Sequence, residues 1–467
     1  MESVRKSIHG QWSGRLAFVL AATGSAVGLG NIWKFPYITG ENGGGAFVLV
    51  YLICIAVIGI PIMMAEVMIG RRGRQSPVNT MRALAAEENA GPSWAMLGWA
   101  GVLAGFLILS YYSVIAGWAL AYVFRTGSGL FTGLTADGVQ SIFTTMVSDP
   151  ERLLAWHTIF MTMTMVVVAR GVRGGIEKAV KFLMPALLVL LFVLLGFAWN
   201  SGSFGQGVEF LFQPDFSKLS ANAVLIAMGH AFFTLSLGMG AIMVYGSYLP
   251  AGTSIAKVSI AVSVMDTLVA LLAGMAIFPI VFANGLEPGA GPGLIFQTLP
   301  LAFGHMDYGA FFGMLFFVLL VFAAWSSAIS LIEPAVAWLV ENKGMTRVTA
   351  AVAAGSVTWL CGLMTVFSFN LWSDFKPLSD FEVFRDSTVF DLLDYLTANI
   401  MLPLGGLLIA IFAAWKMKRA SSIDELGMGD RFFYPLWRFL VRYITPIAVG
   451  IVFLYAIRDI LKAVGIF

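Results

Sequence analysis

Hydrophobic runs separated by short polar turns divide the chain into about eleven segments: 14–37, 43–70, 94–124, 153–170, 176–199, 221–249, 257–283, 309–341, 347–370, 388–416 and 434–463. Each approaches or exceeds the length that a helix rising about 1.5 Å per residue needs to cross a ~30 Å hydrocarbon core. An odd number of crossings puts the two ends on opposite sides. Two of the runs are interrupted: the first by Gly24, Gly28 and Gly30, followed by Asn31 and Lys34, and the sixth by Gly229, Gly238 and Gly240 beside Thr234 and Ser236. Glycine weakens a helix by about 1 kcal/mol, and backbone opened at membrane depth leaves polar groups that only a ligand or a protein-enclosed cavity satisfies. Residues 24–28 therefore read as a break whose carbonyls face a cation, with the half-helix from Leu29 aiming its amides at an anion. Close helix packing through Gly24-x3-Gly28 is the competing reading.

The interrupted runs open successive groups of five, a pattern that points to a midplane site between inverted repeats. On this basis residues 1–467 form one membrane domain, with repeats at about 12–199 and 218–418 and an extra helix at about 434–463. Basic residues set the orientation. Arg5, Lys6 and Arg15, then Arg71, Arg72, Arg74 and Arg82, then Arg170, Arg173, Lys178 and Lys181 fall on one side. Lys257, Lys343, Arg347 and the cluster from Lys416 to Arg442 continue the alternation, so that side is expected to be cytoplasmic, with the N-terminus inside and the C-terminus outside. Outer connections are longer and more acidic. That at 284–307 reads as a turn followed by a short helix over the outer face.

Composition narrows the class. At 467 residues, 59% hydrophobic and 12% charged, with mean hydropathy +0.85, the chain fits a polytopic membrane protein. A net charge of +2 without a basic stripe gives no sign of a nucleic-acid partner. Cys54 and Cys361 lie in apolar segments and read as packing residues, and the first apolar run lacks the cleavage site of a signal peptide. His9, His157, His230 and His305 are scattered without metal-ligand spacing, which argues against a membrane-embedded enzyme.

Polar residues inside the spans carry the chemistry. A carboxylate near mid-membrane costs at least ~3 kcal/mol unless paired, so Asp266 reads as functional, against the alternative of one polar contact between helices. Thr234, Ser236, Ser326 and Ser327 offer hard oxygen donors, although such hydroxyls also bond back to the preceding helical turn.

The stretch GSAVGLGNIWKFPY (24–37), followed by ENGGGAF (41–47), with GHAFFTLSLGMG (229–240) and AAWSS (323–327), resembles the neurotransmitter:sodium symporter family in its prokaryotic eleven-helix branch. The resemblance covers roughly residues 12–460. It implies an all-α polytopic membrane protein with an inverted-repeat 5+5 transporter core, broken helices 1 and 6, and an eleventh helix. The implied activity is sodium-coupled import of hydrophobic L-amino acids, aliphatic and aromatic, by alternating access across the cell (inner) membrane. A sodium-dependent sensor or channel-like protein on the same fold is the alternative. Two sodium ions, an amino-acid substrate and membrane lipid are the implied partners.

Carried over residue by residue, the resemblance places Ala26, Asn31, Thr234 and Asp266 at a first sodium site, and Gly24, Val27, Ala323, Ser326 and Ser327 at a second. Asp266 would also supply the negative charge that eukaryotic members take from chloride, making transport chloride-independent. Tyr112 and the amides of Leu29 and Gly30 would hold the substrate carboxylate; the carbonyls around Phe233, Thr234 and Ser236 would receive its ammonium, and Ser25 and Ala26 would also contact the substrate. Ile108, Phe233, Met239 and Leu331 would line the side-chain pocket. Lys34 and Asp394 correspond to the outer charged pair, with lysine in place of the commoner arginine, and Trp12, Tyr248 and Glu341 to the inner gate. His9 stands where the family usually has arginine or lysine, so either Arg5 or Lys6 substitutes or the inner gate is pH-sensitive. Gly175 and Pro185 resemble a family motif linked to unwinding of the fifth helix.

Overall fold

The computed structural model describes residues 5, 7–288, 293–429 and 432–463; Lys6, Arg431 and the tip of the 284–307 connection lie outside the described residues. Among the described residues, nine continuous apolar helices are long enough to span a membrane, including Gly45–Gly73, Pro92–Gly127, Val172–Trp199, Ile255–Ala283 and Gly309–Lys343. The first span is a bent pair, Arg15–Ala26 and Gly30–Glu41, turning by 51°. The sixth is split into Ala221–Thr234 and Ala241–Ser247, because the chain unwinds between Leu235 and Gly240. Together these account for the eleven runs of the sequence, and both interrupted runs are broken helices.

Local rules explain most boundaries. Asp149 caps the fourth span, its carboxylate accepting from the amides of Glu151 and Arg152 at 3.1 Å ahead of Pro150 in the first turn. Thr388 and Asp391 form a capping box at the start of the tenth. Five wide π-type turns, Gly30–Lys34, Ile55–Gly59, Leu294–Thr298, Leu396–Met401 and Leu440–Ile444, each run into a proline, at Pro36, Pro61, Pro300, Pro403 and Pro446. Proline has no N–H and its ring collides with the carbonyl four residues back, and widening the turn before it relieves both problems.

Burial sorts the helices into centre and rim. The apolar windows of the third and eighth spans are 78% buried, those of the fifth and eleventh only 33% and 28%. The central pair packs closely because a Cβ on Gly105 would come 2.6 Å from the Leu331 carbonyl, a separation only glycine permits. The inner half of the first span packs against the fifth, seventh and eighth spans, which carries its break into the centre. On the rim, Phe182, Val189 and Phe192 of the fifth span and Val352, Val357 and Leu360 of the ninth are exposed apolar side chains. They face where lipid must lie. In the 284–307 connection the expected short helix is Leu299–His305, and the Phe296 ring before it sits within about 6 Å of the rings of Trp33, Trp118, Tyr122 and Phe317.

Candidate functional site

Two breaks meet at the centre. In the first span the helix ends at Ala26, Val27 is extended, and the chain turns through Gly28 and Leu29 into the wide turn. Gly28 must be glycine, since a Cβ there would lie 2.5 Å from Ser327 Oγ and 2.7 Å from the Tyr112 hydroxyl. The sixth span opens through three left-handed residues, Ser236 (φ 54°), Gly238 (φ 79°) and Gly240 (φ 74°). Ser236 bears this conformation with a side chain, at a cost of about 1–3 kcal/mol that the surrounding bonds must offset.

Asp266 is fully buried, and its carboxylate is reached from both breaks. Asn31 Nδ2 donates to it at 2.7 Å and Thr234 Oγ1 at 3.1 Å. The Asn31 oxygen accepts from the Gly28 amide at 3.0 Å and keeps a second lone pair that a cation could use. Two of the expected first-site residues, Asn31 and Thr234, therefore converge on the carboxylate of a third, Asp266, and Ala26 lines the cavity beside them.

On the other side of the first break, Ser327 Oγ lies 3.3, 3.0 and 3.1 Å from the carbonyls of Gly24, Ser25 and Val27. These carbonyls lack helical partners and can face a cation. Ser326 instead bonds back to Phe322 and Ala323 at 3.1 and 3.0 Å, as helical serines commonly do. It still borders Gly24, whose Cβ would come 3.2 Å from its own. Tyr112 accepts from the Leu29 amide at 3.1 Å, which puts a hydroxyl at the start of the half-helix.

Between these groups lies a cavity of about 20 Å³ lined by Ser25, Gly30, Ile108, Phe233, Met239 and Leu331, among others. That is room for about one water molecule, so an amino-acid side chain enters only if Phe233, Met239 or their helices shift. Above it, a second cavity of about 430 Å³ reaches Lys34, Tyr37, His230, Phe233 and Asn399 and leads toward the outer face.

The inner end is shut. Trp12 and Tyr248 are 1% and 0% exposed; Trp12 donates its amide to Tyr248 O and its indole to Tyr245 O, both at 3.0 Å. His9 Nε2 sits 3.0 Å from Glu341 Oε1, while Ser76 and Asn79 hold the same carboxylate. Arg5 does not substitute for the family's gate arginine: it pairs with Glu87 at 3.0 Å, and His9 itself takes the partner. The expected outer pair is also not made. Among the described residues no ion pair joins Lys34 to Asp394, because the lysine is turned onto the Phe233 ring, 5.0 Å from its centroid.

Sequence reasoning passed over two carboxylates and a histidine. Glu66, fully buried in the second span, accepts the Gly238 amide at 3.1 Å and so holds the sixth-span break open. Glu333 accepts from Tyr248 at 2.7 Å and from Arg347 at 2.9 Å, tying the inner gate to the ninth span. The rule that singled out Asp266, a charge inside an apolar run, would have found both. His230 is buried against Phe35 and Tyr51 with neither ring nitrogen bonded.

Comparison with known proteins agrees with this geometry. The model of the sodium:neurotransmitter symporter family matches residues 9–132 and 143–464. The uncharacterized sodium-dependent transporter YhdH of Bacillus subtilis (strain 168) is 38% identical over 448 residues, spanning 95% of this chain and 97% of that protein. The sodium- and chloride-dependent taurine transporter of Bos taurus is 25% identical over 507 residues, 96% of this chain and 78% of its own. Among solved structures, MhsT in complex with L-phenylalanine superposes with a TM-score of 0.87 at 44% identity, covering 96% of this chain and 99% of that one. The fold is that of a multi-pass transporter with a 5+5 core whose first and sixth helices are broken. Matched by the family model over nearly its whole length, the chain belongs to the sodium:neurotransmitter symporter family.

Proposed function

We propose that this sodium-dependent transporter imports hydrophobic L-amino acids, aliphatic and aromatic, with two sodium ions and without chloride. It would do so across the cell membrane, with the N-terminus cytoplasmic and the C-terminus outside. The observation that carries the reading is the Asp266 carboxylate held by Asn31 and Thr234 beneath the two breaks. A buried carboxylate with only neutral partners is costly, and a bound cation removes that cost. Its fixed charge also takes the place of a halide. The carbonyls around Ser327 would receive a second ion, joined by those of Ala323 and the hydroxyls of Ser326 and Ser327.

The substrate carboxylate would lie on Tyr112 and the amides of Leu29 and Gly30, at the positive end of the half-helix. Backbone groups from Phe233 to Ser236 would take the ammonium. These contacts suit any α-amino acid, so selectivity falls to Ile108, Phe233, Met239 and Leu331, all apolar. A charged side chain finds no partner there and loses several kcal/mol on desolvation. The phenylalanine bound by MhsT, 44% identical to this chain, supports an amino-acid substrate.

Reconstitution tests the reading. Proteoliposomes given an inward sodium gradient should accumulate labelled leucine, with unlabelled phenylalanine competing and glutamate and lysine competing poorly. The rate should stand when gluconate replaces chloride. No accumulation against a gradient would leave a sensor or channel; inhibition by glutamate or lysine would overturn the pocket.

A further inference from the structure

The cavity between the breaks is lined by serines as well as apolar groups, yet the serine protons are already committed inside the protein. Ser236 Oγ donates to Ser25 O at 2.8 Å, and Ser327 Oγ to the first-span carbonyls. Ser25 Oγ donates to Ser330 Oγ at 2.7 Å, and Ser330 Oγ passes its own proton to the Ser327 carbonyl at 2.8 Å. Ser330 is wholly buried, three residues after Ser327 on the same face of the eighth span, and is not among the cavity-lining residues. Ser25 is.

A hydroxyl facing an apolar ligand without a partner costs the desolvation of a polar group, and a site with such a hydroxyl favours ligands that can bond it. The Ser25 hydroxyl escapes this only because Ser330 accepts it. We propose that Ser330 is a specificity-determining positioning residue, which turns the Ser25 hydroxyl out of the side-chain pocket so that apolar side chains bind without orphaning a donor. It acts through Ser25 and touches no substrate. Replacing Ser330 by alanine removes the acceptor, frees the Ser25 proton toward the cavity, and moves the preference toward side chains carrying a hydroxyl. Removing Ser25 as well abolishes the freed donor.

This inference rests on the amino-acid reading above, and the experiment separates the two. Sodium-dependent binding of labelled leucine to purified protein is competed with two near-isosteric pairs, valine against threonine and phenylalanine against tyrosine. Wild type, Ser330→Ala, Ser25→Ala and the double variant are compared. The expected result is a wild-type preference for the apolar member, narrowed by roughly fivefold for at least one pair in Ser330→Ala, the size of one net hydrogen bond. The double variant should return to the wild-type ratio. Ratios in Ser330→Ala within about twofold of wild type for both pairs would overturn the inference. So would a shifted ratio that persists in the double variant, since Ser330 would then act through packing alone. A wild-type protein that binds none of the four amino acids in sodium overturns the amino-acid reading, and the inference with it.

Discussion

Among the described residues Asp266 has no cationic partner, and its oxygens are met by an amide and a hydroxyl from two different broken helices. Removing any of the three takes an oxygen or a dipole from a position that water reaches only at a cost. Asn31→Ala, Thr234→Ala and Asp266→Ala are each expected to raise the sodium concentration for half-maximal substrate binding by about tenfold or more. A scintillation proximity titration checks this, and unchanged half-saturation in all three would sink the assignment. Gly28→Ala puts a methyl 2.5 Å from Ser327 Oγ and 2.7 Å from the Tyr112 hydroxyl, so it should abolish leucine binding and lower the melting temperature as well. Glu66→Ala should likewise lower stability and binding together. It leaves the buried Gly238 amide unpaired, and a loss of about 1–3 kcal/mol is expected in a thermal-stability assay along with weakened binding. Asp266 stood out in the sequence because a carboxylate within an apolar run is costly unless it is paired. Ser330 did not, because a serine in a helix ordinarily bonds its own backbone and nothing in the spacing says that Ser25 lies opposite.

The broken helices and the proline-terminated wide turns follow in part from residue chemistry, since glycine and proline weaken a helix, though Pro185, Pro279 and Pro334 stay inside continuous helices. The gates do not follow from that chemistry. Which groups meet at the inner end depends on how the segment before the first span folds against the sixth and eighth. There His9 reaches Glu341 while Arg5, four residues earlier, is drawn to Glu87. Imidazole ordinarily changes charge near neutral pH and guanidinium does not. The neighbouring groups are Glu341, the neutral Ser76 and Asn79, and the Tyr248 ring at 5.8 Å. His9→Arg should therefore give a permanently charged latch. Its uptake should be slower than wild type, because a permanent charge holds the Glu341 partner in place. His9→Ala should open the inner end to a thiol reagent acting on a cysteine placed at Ala22. Equal uptake rates in wild type and His9→Arg would show that this contact does not limit opening of the inner end. The outer end reads differently again: with Lys34 on the Phe233 ring and the outer cavity present, the structure combines a shut inner gate with an unmade outer pair.

Across the whole molecule, the 78% burial of the third and eighth spans and the exposure of the fifth and eleventh describe a central scaffold with lipid-facing helices around it. Basic residues near Arg71, Arg173 and Arg419 mark one end, the end where Trp12 and Tyr248 are closed. Cysteines introduced at Arg82 and at Ser379 should be labelled from opposite sides of right-side-out vesicles by an impermeant maleimide, only the second from outside. Labelling of both, or of the first alone, would reverse the expected orientation.

By itself the chain determined the class, the eleven crossings, the two breaks and the residue types available at them, because hydropathy, glycine, proline and lone charges act locally or over one helix length. Tertiary structure alone decided which polar groups share partners. Ser25 and Ser330 are 305 positions apart, His9 and Glu341 are 332, and Glu66 meets Gly238 across 172. At such separations a hydrogen bond is set by how helices pack and rotate, and no periodicity within one helix encodes it.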